Sequence, residues 1–457
     1  MASLYKRYFE LNPINNVTQF SSRNGVDVLN FIIPSLQDVL LSTPHLHLSG
    51  TLQINKTSAL ALDKTEALRW SVDNTLGVHG AIDRVEITSR NGNSLIEQRL
   101  NYPIISKMKR AVVSNPDLIV GTGNNQEVVG ENSLNTFNQL VREAGSNTER
   151  AGVPFCIQLD TGLLKDNQQR LNLGALGGIE IKIQLASTEN FLFNVDNGAA
   201  ADELLNSDAF YTLRDVKLFG RYEYVAPNVA SALQSVAFKK VDNILQVIQS
   251  SNDTIAFQPQ VRSLDKIFYV FQPNNNSKNN YATNSSQMNN LVGIKNYRES
   301  RNGTLFPKDF PVENNRAVPD LVNSGDTQIQ SGNAEQVYHL LVGLNGHYPP
   351  IHSLVSPINE VNANADLSSI FSDRGSGLAG TTNKSCSNVE GICCSYQYGY
   401  SGYSTPMEND LVQLQAESSV KTNDGVVNAI IRNQVQTTNT LIQYNTMLQY
   451  NNLQVSR

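Results

Sequence analysis

The stretch IEIKIQL at residues 179–185 alternates apolar and polar side chains without exception. A period of two is typical of a β-strand with one face in a core and the other in water. A second run, YTLRDVKLFGRYEYV at residues 211–225, is rich in aromatic and β-branched residues. It ends at Ala226-Pro227-Asn228, where the proline breaks the strand pattern. The break lies almost midway along the chain, and a similar order of short strands and turns begins again after it.

This repetition predicts an all-β protein made of two tandem β-sandwiches with short helices in the loops. The predicted parts are an N-terminal arm (residues 1–25), a first sandwich (26–225), a linker (226–235) and a second sandwich (236–457). A chain of 457 residues is too large for one ordinary core and fits two domains of roughly 200 residues each. The arm is predicted either to pack on a neighbouring subunit or to fray as a free terminus.

The composition excludes several classes of protein. Charged residues make up 17% of the chain, against roughly 25% in a typical soluble protein. A polar but weakly charged surface suits burial against other copies, because neutral amides desolvate more easily than ions; it also suits glycan attachment or exposed loops. The net charge of −6 and the lack of a clustered basic face argue against sequence-specific nucleic-acid binding.

The chain also lacks features of secreted and membrane proteins. No apolar run reaches the roughly 18–20 residues that cross a bilayer. The N-terminus has no apolar core of a signal peptide, so the protein is expected to stay in the compartment where it is made. Four cysteines do not form a disulfide scaffold at this length.

Local patterns give more detailed expectations. Asn91-Gly92 lies between strand-like segments and predicts a hairpin in which both residues have positive φ. The basic cluster at Lys107, Lys109 and Arg110 is expected in a solvated loop.

Longer segments are interpreted from their periodicity. Residues 264–271 are apolar on both faces and predict a central strand, and residues 237–249 fit either a strand or a helix. The other segments are two helices (131–144 and 334–344), two surface loops (272–290 and 375–404) and terminal strands within 426–455.

The sequence predicts no catalytic, cofactor-binding or metal-binding residues. His45 and His47 share a polar strand face, but no third ligand stands at a suitable spacing, so exposed strand histidines are expected. The glycine-rich segment 121–125 lacks the Lys-Ser/Thr of a phosphate-binding loop, and 399–403 misses the nucleophile-elbow pattern by one residue.

Cysteines and asparagines raise the question of covalent modification. Cys386, Cys393 and Cys394 have no histidine nearby; they are expected as free thiols in a cell, or with a bridge from Cys386 in an oxidising compartment. Glycosylation acceptor motifs are expected to be mostly chance in an asparagine-rich chain; they occur at Asn16, Asn55, Asn252, Asn275, Asn284, Asn302 and Asn383.

The order of motifs resembles the double jelly-roll major capsid proteins of tailless double-stranded DNA viruses, of the virophage and polinton-like type. The motifs that carry the resemblance are these: Arg84-Val85-Glu86-Ile87, the Asn91-Gly92 turn, Leu95-Ile96-Glu97-Gln98 with Leu100-Asn101-Tyr102, the Asp160-Thr161-Gly162-Leu163-Leu164 segment, the 179–185 strand, Asp215-Val216-Lys217-Leu218, the 264–271 strand and the 373–378 loop.

The resemblance implies two eight-stranded jelly rolls standing side by side, perpendicular to the surface of an icosahedral shell. Three chains would form a pseudo-hexagonal homotrimeric capsomer. The implied partners are further copies of the chain, penton and minor capsid proteins and an internal membrane where the particle has one, and the implied location is the virion. The resemblance implies no enzyme activity and no cofactor.

Two alternatives stay open on the sequence alone. A carbohydrate-binding or carbohydrate-active β-sandwich is suggested by Tyr396, Tyr398, Tyr400 and Tyr403, because sugars stack on exposed rings, although no convincing pair of carboxylates accompanies them. A minor capsid or spike protein of the same virus type shares the fold, and copy number alone separates it from the major capsid protein.

Overall fold

The computed structural model describes most of the first half of the chain and a smaller part of the second. The described residues are 4–15, 17–56, 70–71, 76–112, 153–166, 170–194, 209–248, 252–273, 294–306, 311–313, 392–395, 405–407, 412–418, 436–450 and 454–456. No helix in these ranges is long and apolar enough to span a bilayer.

The described residues of the first half form mainly strands, which are β1 (Tyr5–Leu11), β2 (Gln19–Phe20), β3 (Val28–Pro34), β4 (Val39–Ser42), β5 (His47–Lys56), β6 (Trp70–Ser71), β7 (Ile82–Ser89), β8 (Ser94–Arg99), β9 (Val153–Ile157), β10 (Arg170–Asn172), β11 (Gly178–Leu185), β12 (Phe193–Asn194) and β13 (Ala209–Tyr224). Its α-helical segments are α1 (Tyr102–Val112), α2 (Leu173–Leu176) and α3 (Thr188–Phe191).

These strands form two main antiparallel sheets. One has the order β10-β4-β13-β5-β9, with β1 and β2 also paired to β13; the other has the order β3-β11-β7-β8. Strand β11 contains the 179–185 stretch, and its isoleucines at positions 179, 181 and 183 are fully buried while Lys182 is exposed. The prediction of a half-buried strand is confirmed.

Both sheets contribute to one hydrophobic core. Phe31 and Ile181 reach it from the four-stranded sheet, and Leu48 and Leu213 reach it from the seven-stranded sheet. Residues of opposite sheets thus share a dry interior, as in a β-sandwich. The 211–225 run is the greater part of β13, which pairs with β4 and β5 in succession and carries a bulge at Asp215 (φ 51°).

The segment predicted as a linker contains a short helix, α4 (Pro227–Ala232). Pro227 lies in its first turn, where the missing N–H and the fixed φ are tolerated. The break seen in the sequence is therefore the start of a helix rather than an irregular hinge.

The second half repeats the strand-rich architecture, with β14 (Ser235–Ile248), β15 (Asn252–Phe257), β16 (Val261–Pro273), β17 (Ile294–Arg301), β18 (Thr304–Phe306), β19 (Val312–Glu313), β20 (Ile392–Ser395), β21 (Thr405–Met407), β22 (Val412–Ser418), β23 (Gln436–Gln449) and β24 (Gln454–Ser456). One sheet has the order β14-β23-β16-β20, with β21 on β16 and β24 on β23; the other has the order β15-β22-β17-β18, with β19 on β17.

Strand β16 is the centre of the second module. Ile267, Phe268, Tyr269 and Val270 are all buried, so both faces of the strand are dry and the prediction of a central strand is confirmed. Tyr269 also joins the two sheets: its ring packs edge-to-face on Phe257 of β15 at 6.2 Å.

The basic cluster differs from the sequence-based expectation. Lys107, Lys109 and Arg110 lie in helix α1 rather than in a loop, and Lys107 is only 6% exposed. The reason is that Ile104, Ile105 and Met108 recur at helical spacing and are buried.

The hairpin after β7 forms, but its loop has four residues, because Ser89 pairs with Ser94. The positive φ angles fall on Gly92 (75°) and Asn93 (51°), not on Asn91. Asn91 instead donates its backbone N–H to the carbonyl of Leu176 at 3.1 Å, which anchors the loop at the end of α2.

The 375–404 segment is not entirely loop, since residues 392–395 form β20 and pair with β16. Residues 237–248 of the ambiguous 237–249 segment form a strand, within β14. In the terminal segment 426–455, strands β23 and β24 are present, and residues 426–435 lie outside the described residues. The predicted helices at 131–144 and 334–344, and residues 274–290 of the predicted polar loop, lie outside the described residues.

The N-terminal segment has a defined position. Residues 5–11 form β1 and pair antiparallel with residues 224–218 of β13 in the same chain. Tyr5 stacks on Tyr224 with ring centroids 4.0 Å apart, and Phe9 stacks on Tyr222 at 4.1 Å. The arm therefore extends the seven-stranded sheet of the first module.

Candidate functional site: the seam between the two modules

The two modules meet along a seam that begins with apolar contacts. Val236 and Phe238 of β14 and Leu448 of β23, with Tyr450 just beyond it, belong to the same buried cluster as the core of the first module. The start of β14 and the end of β23 are thus packed into the first module's core, although the main sheets of the two halves remain separate.

A buried ion pair lies at the centre of the seam. Glu97 and Arg99 of β8 have fully buried side chains, and Arg99 Nε lies 2.7 Å from Glu97 Oε1. Glu97 also accepts backbone hydrogen bonds from Gly162 and Leu163, each at 2.8 Å. Arg99 Nη1 donates to the carbonyl of Val241 in β14 at 2.8 Å. The Glu97–Arg99 pair therefore forms hydrogen bonds with residues of both modules.

Gly162 lets the two backbones approach closely at this point. A Cβ atom placed on Gly162 would lie 1.7 Å from the carbonyl oxygen of Lys239, far inside any permitted contact. Residues 162–166 form a single π-helical turn. The absence of a side chain at position 162 thus allows this turn to rest directly on β14.

A second polar cluster holds the segment before this turn. The hydroxyl of Tyr102 accepts a hydrogen bond from the backbone N–H of Asp160 at 2.8 Å and lies 2.8 Å from His79 Nδ1. Asp160 forms an ion pair with Lys165, and His79, Tyr102 and Asp160 are buried. Helix α1 thereby fixes the backbone that presents the two N–H groups to Glu97.

Asn172 connects three parts of the chain. Its side-chain oxygen caps α2 through Ala175 N (3.1 Å), and its Nδ2 donates to the carbonyl of Ala230 in the linker helix (2.9 Å). Its backbone N–H donates to the hydroxyl of Tyr450 (3.3 Å). Burial raises the pKa of Tyr450 to about 12, so this hydroxyl remains protonated at neutral pH. The arrangement fixes the orientation of the second module on the first.

His45 lies in a different cluster, on the first module. It is part of a 3₁₀ turn before β5, so the prediction of an exposed strand histidine is wrong for this residue. Arg221 Nη1 donates to His45 Nε2 at 2.7 Å, and Ser42 Oγ lies 2.9 Å from His45 Nδ1. Burial, followed by the positive charge of Arg221, lowers the pKa of His45, while Glu223 acts in the opposite direction.

Glu223 itself is almost fully buried between two arginines. Its oxygens lie 2.6 Å from Arg170 Nε and 2.7 Å from Arg221 Nη2. Both ring nitrogens of His45 thus have hydrogen-bonding neighbours, Arg221 at Nε2 and Ser42 at Nδ1. Within the described ranges no group of three or more potential metal ligands occurs.

Few of the other residues singled out in the sequence fall within the described structure. Asn55 is buried and donates from Nδ2 to Thr212 Oγ1 at 2.8 Å, so the folded chain cannot carry a glycan there. Asn302 is exposed in the turn between β17 and β18. Cys393 and Cys394 lie in β20.

Among the remaining candidates, Asn252 begins β15, and the others lie outside the described residues. They are the segments 121–125 and 399–403, Cys386, the tyrosines at 396, 398, 400 and 403, and the acceptor asparagines at 16, 275, 284 and 383.

The seam itself was missed by sequence reasoning. Glu97 and Arg99 alternate with Gln98 on an edge strand and look like an ordinary solvated face. A β-bulge changes this, because Ile87 pairs with Glu97 and Thr88 pairs with Leu95, leaving Ile96 between them. The glycine of the motif Asp160-Thr161-Gly162 was a partial signal, since glycine is favoured both in tight turns and where two backbones approach closely.

Removing one member of the buried pair should destabilise the protein strongly. Arg99→Met leaves the Glu97 carboxylate buried without its counter-charge, and we expect a loss of about 3–5 kcal/mol in unfolding free energy. Urea denaturation followed by tryptophan fluorescence and circular dichroism measures it. The double variant Glu97→Gln/Arg99→Met should recover part of the loss. Arg84→Met, which breaks the partly exposed Arg84–Glu86 pair, is the control and should cost less than about 1 kcal/mol; equal losses at the two sites would contradict the assignment.

The glycine at the seam should not tolerate a methyl group. Gly162→Ala must displace β14 or the π-helical turn, and we expect it to destabilise the fold by at least the roughly 1–3 kcal/mol typical of overpacking. Gly174→Ala is the matched control, because its Cβ would meet the nearest atom at 3.3 Å inside a helix, where alanine is favoured. A near-neutral Gly162→Ala in the same denaturation assay would show that the two modules are not in contact there.

His45 should make stability depend on pH below neutrality. Its folded pKa lies below the ordinary value of about 6.5, so the unfolded chain takes up a proton that the folded chain does not. The contribution of the neutral His45 side chain to the unfolding free energy is fully present above pH 6.5, and it is lost as the pH falls below that value. In His45→Gln the melting temperature should therefore fall less between pH 7 and about pH 5. Titration of isotope-labelled histidines gives the direct check; a His45 resonance titrating at or above 6.5 would contradict it.

No protein-family model matches the sequence. No curated protein matches it either.

Solved structures, in contrast, overlap the whole chain. A chain of the Sputnik virophage, determined by cryo-EM, has 13% identity and a TM-score of 0.55, covering 100% of this chain and 88% of that one. The VP54 protein of PBCV-1, fitted into a reconstruction of the virophage Sputnik, has 9% identity and a TM-score of 0.51, covering 98% and 95%. The mavirus major capsid protein has 9% identity and a TM-score of 0.49, covering 98% and 89%. The first two overlaps show that this chain has the double jelly-roll fold found in viral major capsid proteins.

Proposed function

We propose that this chain is the major capsid protein of an icosahedral double-stranded DNA virus and that three copies form a pseudo-hexagonal capsomer. The observation that carries the proposal is the seam. Two modules of similar build are held in one orientation by a shared core and a buried ion pair. Two similar lobes per chain give six similar lobes per trimer, which tile a surface with nearly hexagonal symmetry.

The extent of the structural overlap supports the same function. The similarity to the Sputnik virophage chain covers both modules rather than one sandwich, so the pairing of the modules is part of what is shared. An isolated β-sandwich is compatible with many functions, whereas two sandwiches joined rigidly side by side suit a building block that must present defined flanks to its neighbours.

The proposal assigns the protein a structural role in the virion shell rather than a catalytic one. Its main partners are other copies of the same chain, within the trimer and between capsomers. Penton and minor capsid proteins, and an internal membrane in particles that have one, complete the proposed set of partners. Division into an arm, two jelly rolls at 26–225 and 236–457 and a linker at 226–235 is part of this proposal.

The purified protein should assemble into trimers. Light scattering coupled to size-exclusion chromatography should give a mass of about three chains, because the joined modules bury their flanks against other copies. Negative-stain images of the same peak should show particles with six lobes. A protein that stays monomeric across salt and protein concentration, or trimers with three lobes, would contradict the proposed capsomer.

A further inference from the structure

Among the described residues, strand β1 lies at an edge of the seven-stranded sheet of the first module. One edge of β1 pairs with β13 over residues 5–11, and in the described part of the chain no strand pairs with its other edge. An edge of this kind displays unpaired N–H and C=O groups that can accept another strand. Proteins normally blunt such edges unless they are used.

Exposed apolar side chains gather at this edge. Leu4 and Tyr8 are each 71% exposed and Tyr5 is 56% exposed, and Ile14 and Phe219 beside the strand are also exposed. Isolated exposed apolar residues are ordinary, but a group of them on one strand and its neighbours marks an interaction surface. Lys6 and Arg7 are exposed in the same strand. This edge is therefore suited to a partner with both apolar and charged groups.

A second copy of the same strand is a partner whose geometry can be worked out. Two identical strands that pair antiparallel are related by a two-fold axis perpendicular to the sheet. Such an axis keeps each side chain on the same face of the sheet in both copies, so two residues that lie opposite each other must point to the same face. The pairing must therefore be centred on one residue of β1, which then faces its own copy.

The charges of β1 select the register. Centring the pairing on Lys6, Arg7 or Glu10 would place like charges directly opposite, which is destabilising. Centring the pairing on Phe9 gives no ion pair. It would also place at the centre the Phe9 ring, which already stacks on Tyr222 of the same chain. Centring it on Tyr8 places Lys6 opposite Glu10 of the second copy, twice per contact, around a pair of tyrosines.

We propose that β1 is a self-pairing edge that joins two copies of this chain across a two-fold axis at Tyr8, with Lys6 of each copy paired to Glu10 of the other. The inference rests on the proposed function in one respect: in a shell, this contact would join neighbouring capsomers. Lys6 and Glu10 are both exposed. Glu10 contacts Lys217 of its own chain and retains a second oxygen for Lys6 of the second copy.

Site-directed cross-linking tests the register directly. In the full chain with Tyr8→Cys, two opposed cysteines have Cβ atoms roughly 4.5–5.5 Å apart, within reach of a disulfide after small adjustment or of a short bis-maleimide. We expect a covalent dimer on a non-reducing gel, at least about fivefold above the background of the wild-type chain with its own four cysteines. Arg7→Cys is the matched control, because its copies would lie two positions apart on the other face. Equal yields for the two variants would overturn the proposal.

Charge reversal tests the ion pairs independently. Lys6→Glu and Glu10→Lys should each weaken association between capsomers by about tenfold, since two attractions become repulsions. The double variant Lys6→Glu/Glu10→Lys should restore association to within about threefold of wild type. Lys217→Gln removes the partner of Glu10 within the same chain and serves as the control. Sedimentation velocity measures association, and a double variant no better than the single ones would refute the pairing.

The two proposals fail in different ways. If the Tyr8→Cys variant forms normal trimers but gives no cross-linked dimer, the edge pairing is refuted and the capsomer stands. A wild-type chain that forms no trimer would refute the capsomer, and cross-linked dimers of the Tyr8→Cys variant would still support the edge pairing.

Discussion

The structure depends on one buried interaction, the Glu97–Arg99 pair and its bonds to both modules. A charge removed from water is tolerated when it is paired and its remaining hydrogen-bonding groups are satisfied. The carboxylate of Glu97 meets this condition through two backbone N–H groups of the π-helical turn and through Arg99. Arg99 in turn needs the carbonyl of Val241. Neither module alone supplies all these hydrogen-bonding partners. The Glu97–Arg99 pair therefore links the folding of one module to that of the other.

Apolar and polar contacts have different roles in this seam. The packing of Val236, Phe238 and Leu448 into the first core supplies attraction without direction. Hydrogen bonds have direction, and those of Arg99 and Asn172 permit one position of β14 and of the linker helix. The tight approach of Gly162 to β14 adds a steric limit. Together these contacts hold the two sandwiches in one relative orientation.

The sequence alone predicted the parts of the fold that depend on local periodicity. The alternation at 179–185 and the two-sided apolar pattern at 264–271 both gave strands of the expected burial. The features it could not predict depend on distant contacts. Helix α1 carried a helical signal in Ile104, Ile105 and Met108, but the neighbouring basic residues obscured it. Glu97 and Arg99 became buried through a bulge and through β14, whose Val241 lies 142 positions after Arg99 in the chain.

The contrast between the seam and the β1 edge follows from burial. The contacts of the seam are dry and include the fully buried Glu97–Arg99 pair, so they persist as long as the protein is folded. The charges on β1 are exposed, and exposed ion pairs are weak and screened by salt. A shell needs both kinds of contact, because its building block must be rigid while neighbouring blocks must separate and rebind until the lattice closes without errors. In the proposed shell, weak β1 pairing at each two-fold contact would meet the second need, since many weak contacts add up across a closed shell while any single misplaced contact remains reversible.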